Sequence, residues 1–192
     1  MCEQVKALVQ RVSQAAVDVE GERVAQIGPG ILVLLGVSGE DDEQIAERLA
    51  DKVKALRIFD DAEGRMNEPL GEREALCVSQ FTLYGDTRRG NRPSYTEAAP
   101  SEQAEPLYER FRERFGAKGG VFGACMGVAL VNDGPVTLLL DSRNEALERL
   151  REAAREKGAN AVVAMRFDCN EIASSMSEVA AYGTAVTVER IF

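Results

Sequence analysis

The 192-residue sequence contains no histidine. A Ser-His-Asp triad, a Cys-His dyad and a His-built zinc site are therefore excluded. If the chain is a hydrolase, its general base is unusual or belongs to the substrate. Cysteine is scarce as well. Cys2, Cys77, Cys125 and Cys169 are scattered with no C-x-x-C pair, which excludes a zinc ribbon and argues against a disulfide framework. Cys77 and Cys125 fall in apolar stretches and are expected to be buried thiols. Long hydrophobic runs are missing too: the longest, Ile31 to Val37, is far short of the ~20 residues a membrane helix needs. Met1-Cys2-Glu3-Gln4 opens no signal peptide, so a cytoplasmic protein without membrane contact is expected. Nor is positive charge in excess. The formal net charge of −9 argues against a broad nucleic-acid surface and limits any such contact to an end.

What is present reads as one soluble domain, or one domain with a small appendage, at 45% apolar and 29% charged residues. Val5 to Val12 alternates, Val17 and Val19 alternate with acids, and Glu20-Gly21-Glu22 predicts a hairpin turn before a strand at Val24 to Ile27. Ile31 to Val37 suits a strand buried on both faces. Ile45, Leu49, Val53 and Leu56 recur at helical spacing behind the acidic Glu40 to Glu43. Asp60 to Gly64 predicts a turn, and Ala75 to Tyr84 a strand. Leu107, Phe111 and Phe115 mark a second helix with Ser101 as N-cap and Pro106 near its first turn. Val121 to Val131 and Val136 to Asp141 predict two strands joined by a turn. Many strands with two helices before residue 142 indicate an α+β domain. From Arg143 the pattern changes. Ser142-Arg143-Asn144-Glu145 has capping-box spacing, an apolar stripe runs to Gly158, and Ala161 to Phe167 and Thr184 to Ile191 predict two strands.

Two short motifs stand out. Ser79-Gln80-Phe81-Thr82-Leu83-Tyr84, taken alone, would serve as an amphipathic strand. Asn132-Asp133-Gly134-Pro135-Val136-Thr137, taken alone, would serve as a turn. A basic loop, Asp86 to Arg92, carries Arg88, Arg89 and Arg92 and would pass for a solvated loop. Together, behind Leu8-Val9-Gln10-Arg11-Val12, these segments resemble the D-aminoacyl-tRNA deacylases over residues 5 to 142. The resemblance extends to Gly28-Pro29-Gly30, Leu56-Arg57-Ile58-Phe59, Met66-Asn67 and Arg92-Pro93-Ser94.

That resemblance implies a barrel-like, mainly antiparallel sheet with two outer helices. It also implies a cofactor-free carboxylic ester hydrolase that frees tRNA from D-amino acids, and from glycine mischarged on tRNA(Ala). An oxyanion hole is implied at the Phe81 and Thr82 amides, with Ser79 and Gln80 shaping the pocket. With no histidine to take a proton from the Thr82 hydroxyl, substrate assistance by the ribose 2′-hydroxyl is the preferred expectation; the hydroxyl would otherwise be that of a strand-favouring residue. Gly134-Pro135 is implied to be a cis chiral selector whose carbonyls enter the partner's pocket in a homodimer with active sites at the subunit interface. Arg11 would hold this loop, or else be an exposed strand cation. Phe122 and Met126 would line the adenosine side, and Arg88, Arg89 and Arg92 would contact the tRNA acceptor end. Two departures from the family pattern lie nearby: Cys125 stands where the family usually has aspartate, and the Gly116 to Gly120 connection is short.

The tail, residues 143–192, is similar to the second half of the bacterial YbjQ-like heavy-metal-binding family, through Gly158-Ala159-Asn160-Ala161-Val162-Val163, Arg166-Phe167-Asp168 and Gly183-Thr184-Ala185-Val186. Its candidate ligands are Asp168, Cys169 and Glu171, without histidine. Metal binding is not expected, and an assembly role is. About fifty residues seldom fold alone, so the tail is expected to pack on its own domain or a neighbouring subunit. The rival to the enzyme is a catalytically weakened module, binding or oligomerising through the tail. It would draw on the Cys125 region; the two intact motifs favour the enzyme.

Overall fold

The computed structural model describes residues 5–141, 150, 152–173 and 176–187, of which 162–173 and 176–183 by backbone alone. Strand β1 (Lys6–Val19) is one continuous element, not two. Along one edge it pairs antiparallel with β3 (Gly30–Gly36) and then, past Val12, with β2 (Glu22–Ile27). Glu20 and Gly21, both at positive φ, make the tight turn between β1 and β2. Along its other edge β1 pairs antiparallel with the long strand β8 (Met126–Asp141).

From β3 the sheet continues parallel through β6 (Glu74–Ser79) to β7 (Lys118–Gly119). Parallel neighbours need crossovers, and the two helices supply them. Helix α1 (Glu43–Ala55) joins β3 to β6 with the short hairpin β4 (Phe59–Asp60) and β5 (Met66–Glu68). Helix α2 (Ser101–Phe115) joins β6 to β7. The result is a nearly closed, barrel-like α+β sheet of mixed direction, with α1 and α2 packed against each other.

Local chemistry sets the helix ends. Asp42 caps α1, its carboxylate accepting from the Ile45 N–H at 2.8 Å. In α2, Ser101 is already helical and Pro100 is the N-cap. Pro106 therefore lies inside the helix rather than in the run of unpaired N–H groups at its start, and its missing N–H removes one helical bond.

The core has two faces. Val5, Ala7, Val9, Ile31, Val33 and Leu35 meet Ile45, Leu49, Val53, Phe111 and Phe115 on the helical side. Val12, Val17, Ile27, Leu32, Leu76 and Val78 fill the inside of the curl. Strand β3 is buried on both faces, as its unbroken apolar run predicts.

Three further expectations are corrected. The strand from Ala75 ends at Ser79, and Phe81–Tyr84 is a 3-10 turn, so the first motif is a strand-to-turn junction. The second motif joins no pair of strands. β8 runs through it, both halves pairing with β1. Residues 121–125 are turn and loop, which leaves Cys125 exposed, whereas Cys77 is buried and burial pushes its thiol up.

In the tail, residues 152–156 are helical and close at Gly158, at φ 73. β9 (Ala161–Ala173) and β10 (Met176–Val186) form their own antiparallel pair, longer than the expected strands, with a register shift between Tyr182 and Thr184. The polar residues at 168–178 hide this pairing from a reading by alternation. The Ser142–Glu145 capping box and the last residues of the second expected strand lie outside the described residues.

Candidate active site

Sequence places Ser79 and Gln80 where β6 ends, and the chain turns there because main-chain bonds make it. The Gln80 N–H donates to the Leu35 carbonyl at 2.7 Å. The Leu83 N–H donates back to Gln80 at 3.2 Å, and Gly85 to Thr82 at 3.0 Å. In a helical turn the first N–H groups have no internal partner. Here they belong to Phe81 and Thr82, and no described residue accepts from either. The peptide unit that carries the Phe81 N–H has its other end, the Gln80 carbonyl, fixed by Leu83. Such a donor is free but not mobile.

The turn sits close on the sheet. At Gly36 a Cβ would come 3.0 Å from the Tyr84 ring and 3.2 Å from the Gln80 carbonyl oxygen, so a side chain there would make the turn give by a few tenths of an ångström. Lys6, directly opposite Gly36 in the ladder, straps the turn from the side. Its ammonium donates to the Leu83 carbonyl at 3.3 Å and lies 4.5 Å from the centroid of the Tyr84 ring. Thr82 projects its hydroxyl to the surface, where the Gln80 amide donates to it. That contact uses a lone pair of Thr82 Oγ1, and no histidine exists to take its proton. The turn is equipped to receive negative charge, not to launch an alkoxide.

The second motif is an outward excursion of β8. Gln10 pairs with Thr137 and Val12 with Asn132, so Arg11 alone stands opposite residues 133–136. Arg11 is only 6% exposed. It donates to the Asp133 carbonyl at 3.1 Å, the Gly134 carbonyl at 3.5 Å and the Ile58 carbonyl at 2.8 Å. It also pairs with the Asp133 carboxylate at 3.0 Å and the Asp60 carboxylate at 3.5 Å. Asn132 closes the neck, its amide donating to the carbonyls of Arg11 (2.9 Å) and Val136 (3.1 Å). Val136 is sunk in the core, and the Gly134-Pro135 bond at the exposed tip is cis.

Other candidate residues are dispersed. Phe122 is half-buried against Tyr108, with ring centroids 5.7 Å apart. Met126 leans on the opposite core cluster. Arg88 is held by Asp86 at 2.8 Å, and that guanidinium keeps the Asp86 carboxyl well below the usual carboxylate range. Arg89 and Arg92 are exposed. No hydrogen bond, ion pair or ring contact among the described residues joins the Phe81 turn to the Gly134 tip. Each, however, is held by β1, through Lys6 and Arg11 respectively.

No three His, Cys, Asp or Glu side chains converge among the described residues. The side chains of Asp168, Cys169 and Glu171 lie outside those described. Sequence reasoning missed Lys6, Gly36, Asn132 and Val136 as supports. Only the ladder register, which puts Lys6 opposite Gly36, reveals the first two; Asn132 lay inside a quoted motif but read as a turn former.

Known proteins match most of the chain. Residues 8–141 match the family described as D-Tyr-tRNA(Tyr) deacylase, and residues 136–189 match one described as "Putative heavy-metal-binding". A D-aminoacyl-tRNA deacylase of Symbiobacterium thermophilum is 59% identical over 145 residues, covering 72% of this chain and 96% of the relative. Its counterpart in Thermotoga petrophila is 55% identical over 145 residues, covering 72% and 97%. Among solved structures, a c-Myc DNA Unwinding Element Binding Protein superposes with a TM-score of 0.67 at 44% identity, covering 70% of this chain and 97% of that one. A second, described as a "probable eukaryotic D-amino acid tRNA deacylase", has a TM-score of 0.62 over 72% of this chain and 99% of its own. At 18% identity, that likeness concerns the fold alone.

Proposed function

The chain belongs to the D-Tyr-tRNA(Tyr) deacylase family, and from that membership we propose that it hydrolyses D-aminoacyl-tRNA to free tRNA and a D-amino acid. The observation that carries the reading is the pair of unengaged amides, Phe81 and Thr82, on a turn held at both ends. An aminoacyl ester of a ribose is already activated, so catalysis needs chiefly orientation and a place for developing charge. Water adds to the ester carbonyl carbon, and the carbonyl oxygen becomes an oxyanion between the two N–H groups. Collapse then breaks the bond to the ribose oxygen, which takes up one proton of the attacking water, while the other passes to solvent as the amino acid leaves as its carboxylate. The neighbouring 2′-hydroxyl of the substrate is positioned to orient the water. This suits a site with no histidine.

Chirality follows from the Gly134-Pro135 tip. Set beside the α-carbon, a main-chain wall excludes a substituent on the L side and leaves the D side chain outward and unread. Within one chain no described contact brings this tip to the Phe81 turn, which favours delivery by a second copy in a homodimer. Supporting that assembly, β8 pairs only with β1 among the described residues and exposes Leu130, Val131, Leu138 and Leu139 on either side of the tip.

Single-turnover deacylation of D-alanyl-, glycyl- and L-alanyl-tRNA by the full chain tests the reading. Steric exclusion spares L-alanyl-tRNA and cleaves the other two, since glycine has nothing to collide. Exclusion by a wall can exceed the ~1–3 kcal/mol that one methylene contact supplies. Rapid L-alanyl cleavage, or resistance of glycyl-tRNA beside fast D-alanyl cleavage, would show instead that side chains are read by positive contact.

A further inference from the structure

The basic loop after the catalytic turn begins and ends at one point. The Asp86 N–H donates to the Ser94 carbonyl at 2.8 Å, and the Ser94 N–H returns to Asp86 at 2.9 Å. The loop thus springs from Gly85, which caps the turn, and delivers Tyr95 back onto it. The Tyr95 ring packs over Gly85, where a Cβ would come within 3.2 Å of the ring. It meets Phe81 edge to face, with centroids 5.1 Å apart and planes at 74°.

Within one chain neither ring is buried by this contact: Phe81 remains 55% exposed and Tyr95 38%. Core packing therefore does not account for two large aromatic side chains held together in solvent. The cations nearby in sequence sharpen the point. Arg88 is occupied by Asp86, whose carboxylate also feels the Arg89 charge, while Arg89 and Arg92 are exposed and make no ion-pair contact among the described residues.

Rings that offer π faces, beside guanidinium groups free for phosphates, are what unpaired nucleic acid requires. The overall negative charge confines such a contact to a few nucleotides. The amide of Phe81 faces the ester in the deacylation reading, so its ring lies one side chain away from the end of the tRNA.

Resting on that reading, we propose that Phe81 and Tyr95 form a stacking platform for the unpaired base preceding the terminal nucleotide of the acceptor end, with Arg89 and Arg92 on the adjoining phosphates. Tyr95 is then a substrate-binding residue, and the platform acts on affinity, not on the chemical step.

Two substrates separate the roles. D-Tyrosyl-tRNA carries the preceding base, whereas 3′-O-D-tyrosyl-adenosine lacks it. Tyr95→Ala should raise KM for the tRNA about tenfold with kcat held within about twofold. Tyr95→Leu, which keeps apolar bulk without a π face, should behave like Tyr95→Ala, and Tyr95→Phe like the wild type. On D-tyrosyl-adenosine all four proteins should be equal. A binding measurement stands apart from activity: fluorescence anisotropy with an unacylated CCA-ended minihelix should show Tyr95→Ala binding about tenfold more weakly. Equal binding by Tyr95→Ala and wild type would overturn the platform even in an active enzyme. Equal losses on both substrates would overturn it too, reducing Tyr95 to a prop for Gly85. If the wild type cleaves neither substrate yet the binding loss appears, the platform stands and the deacylation reading fails.

Discussion

The turn proposed to hold the oxyanion and the loop proposed to select chirality are both main-chain devices, but they are held in opposite ways. The turn at Phe81–Tyr84 is fixed largely by backbone bonds, Leu83 to Gln80 and Gly85 to Thr82, with Gln80 tied to Leu35 and the Lys6 side chain strapping it from the sheet. The loop at Asp133–Val136 is an excursion from the ladder, with only Arg11 opposite it. It depends on Arg11 and Asn132, whose side chains reach backbone carbonyls on both of its flanks. A backbone-held element tolerates most substitutions, whereas one held by a single buried cation fails at that residue. Rate and selectivity should therefore be separable by mutation, even though both supports stand on the same strand.

The largest effect is expected at Arg11. Arg11→Ala removes the donor to Asp133, Gly134 and Ile58 and leaves those carbonyls without it. Because Asp60 and Asp133 are half-exposed, their ion-pair share is screened by solvent. The destabilisation should therefore come from the hydrogen bonds and amount to about 1–3 kcal/mol. The loosened wall should lower the ratio of D-tyrosyl to L-tyrosyl deacylation rates by about 10²-fold, the order of one well-placed steric or polar discriminator. A ratio unchanged in a folded Arg11→Ala protein would show that the loop holds its shape without the arginine.

Lys6→Met tests the other side of the comparison. It keeps the length of the stem but removes the bond to Leu83 and the charge over Tyr84. Both D- and L-substrate rates should fall by about tenfold, less than the 10²–10³ for deleting an oxyanion donor outright, because the amides remain and are only less well fixed. The D-to-L ratio should stay constant, and Lys6→Arg should restore much of the rate. A changed ratio with an unchanged rate would place Lys6 on the selector's side and erase the division.

These supports explain what could be read from the chain without its structure. Apolar periodicity located α1, the doubly buried β3 and the Glu20–Gly21 turn, because each is set by neighbours in sequence. The two motifs were visible as words, but their shapes were not. Ser79 to Tyr84 alternates like a strand, yet after Gln80, whose N–H still pairs with Leu35 in the ladder, the chain closes on itself through Leu83 to Gln80 and Gly85 to Thr82. Asn132 to Val136 reads as a turn between strands, yet a second edge of β1 pairs with both sides and makes it a bulge. Cys125 looked buried among apolar neighbours, but the following strand begins only at Met126. Where each strand ends is set by its neighbours in the sheet, and for the second motif that long-range pairing with β1 decides the outcome.

The smallest effect is expected at Thr82, and it is the most discriminating. If the Phe81 and Thr82 amides do the work, the Thr82 side chain is incidental to the chemistry. Thr82→Ala keeps the amide, the turn and the free N–H. It removes only a hydroxyl that already accepts from Gln80. The rate of D-tyrosyl-tRNA deacylation should stay within about fivefold of wild type, well short of the 10²–10³ for a lost oxyanion donor. A nucleophilic hydroxyl would behave otherwise: its removal abolishes the covalent route and with it nearly all activity. Single-turnover rates for Thr82→Ala and Thr82→Ser, measured beside the wild type, distinguish the two. Serine restoring what alanine loses by more than about 10²-fold would mean that an alkoxide forms at this position, and the oxyanion account of the turn would have to be abandoned.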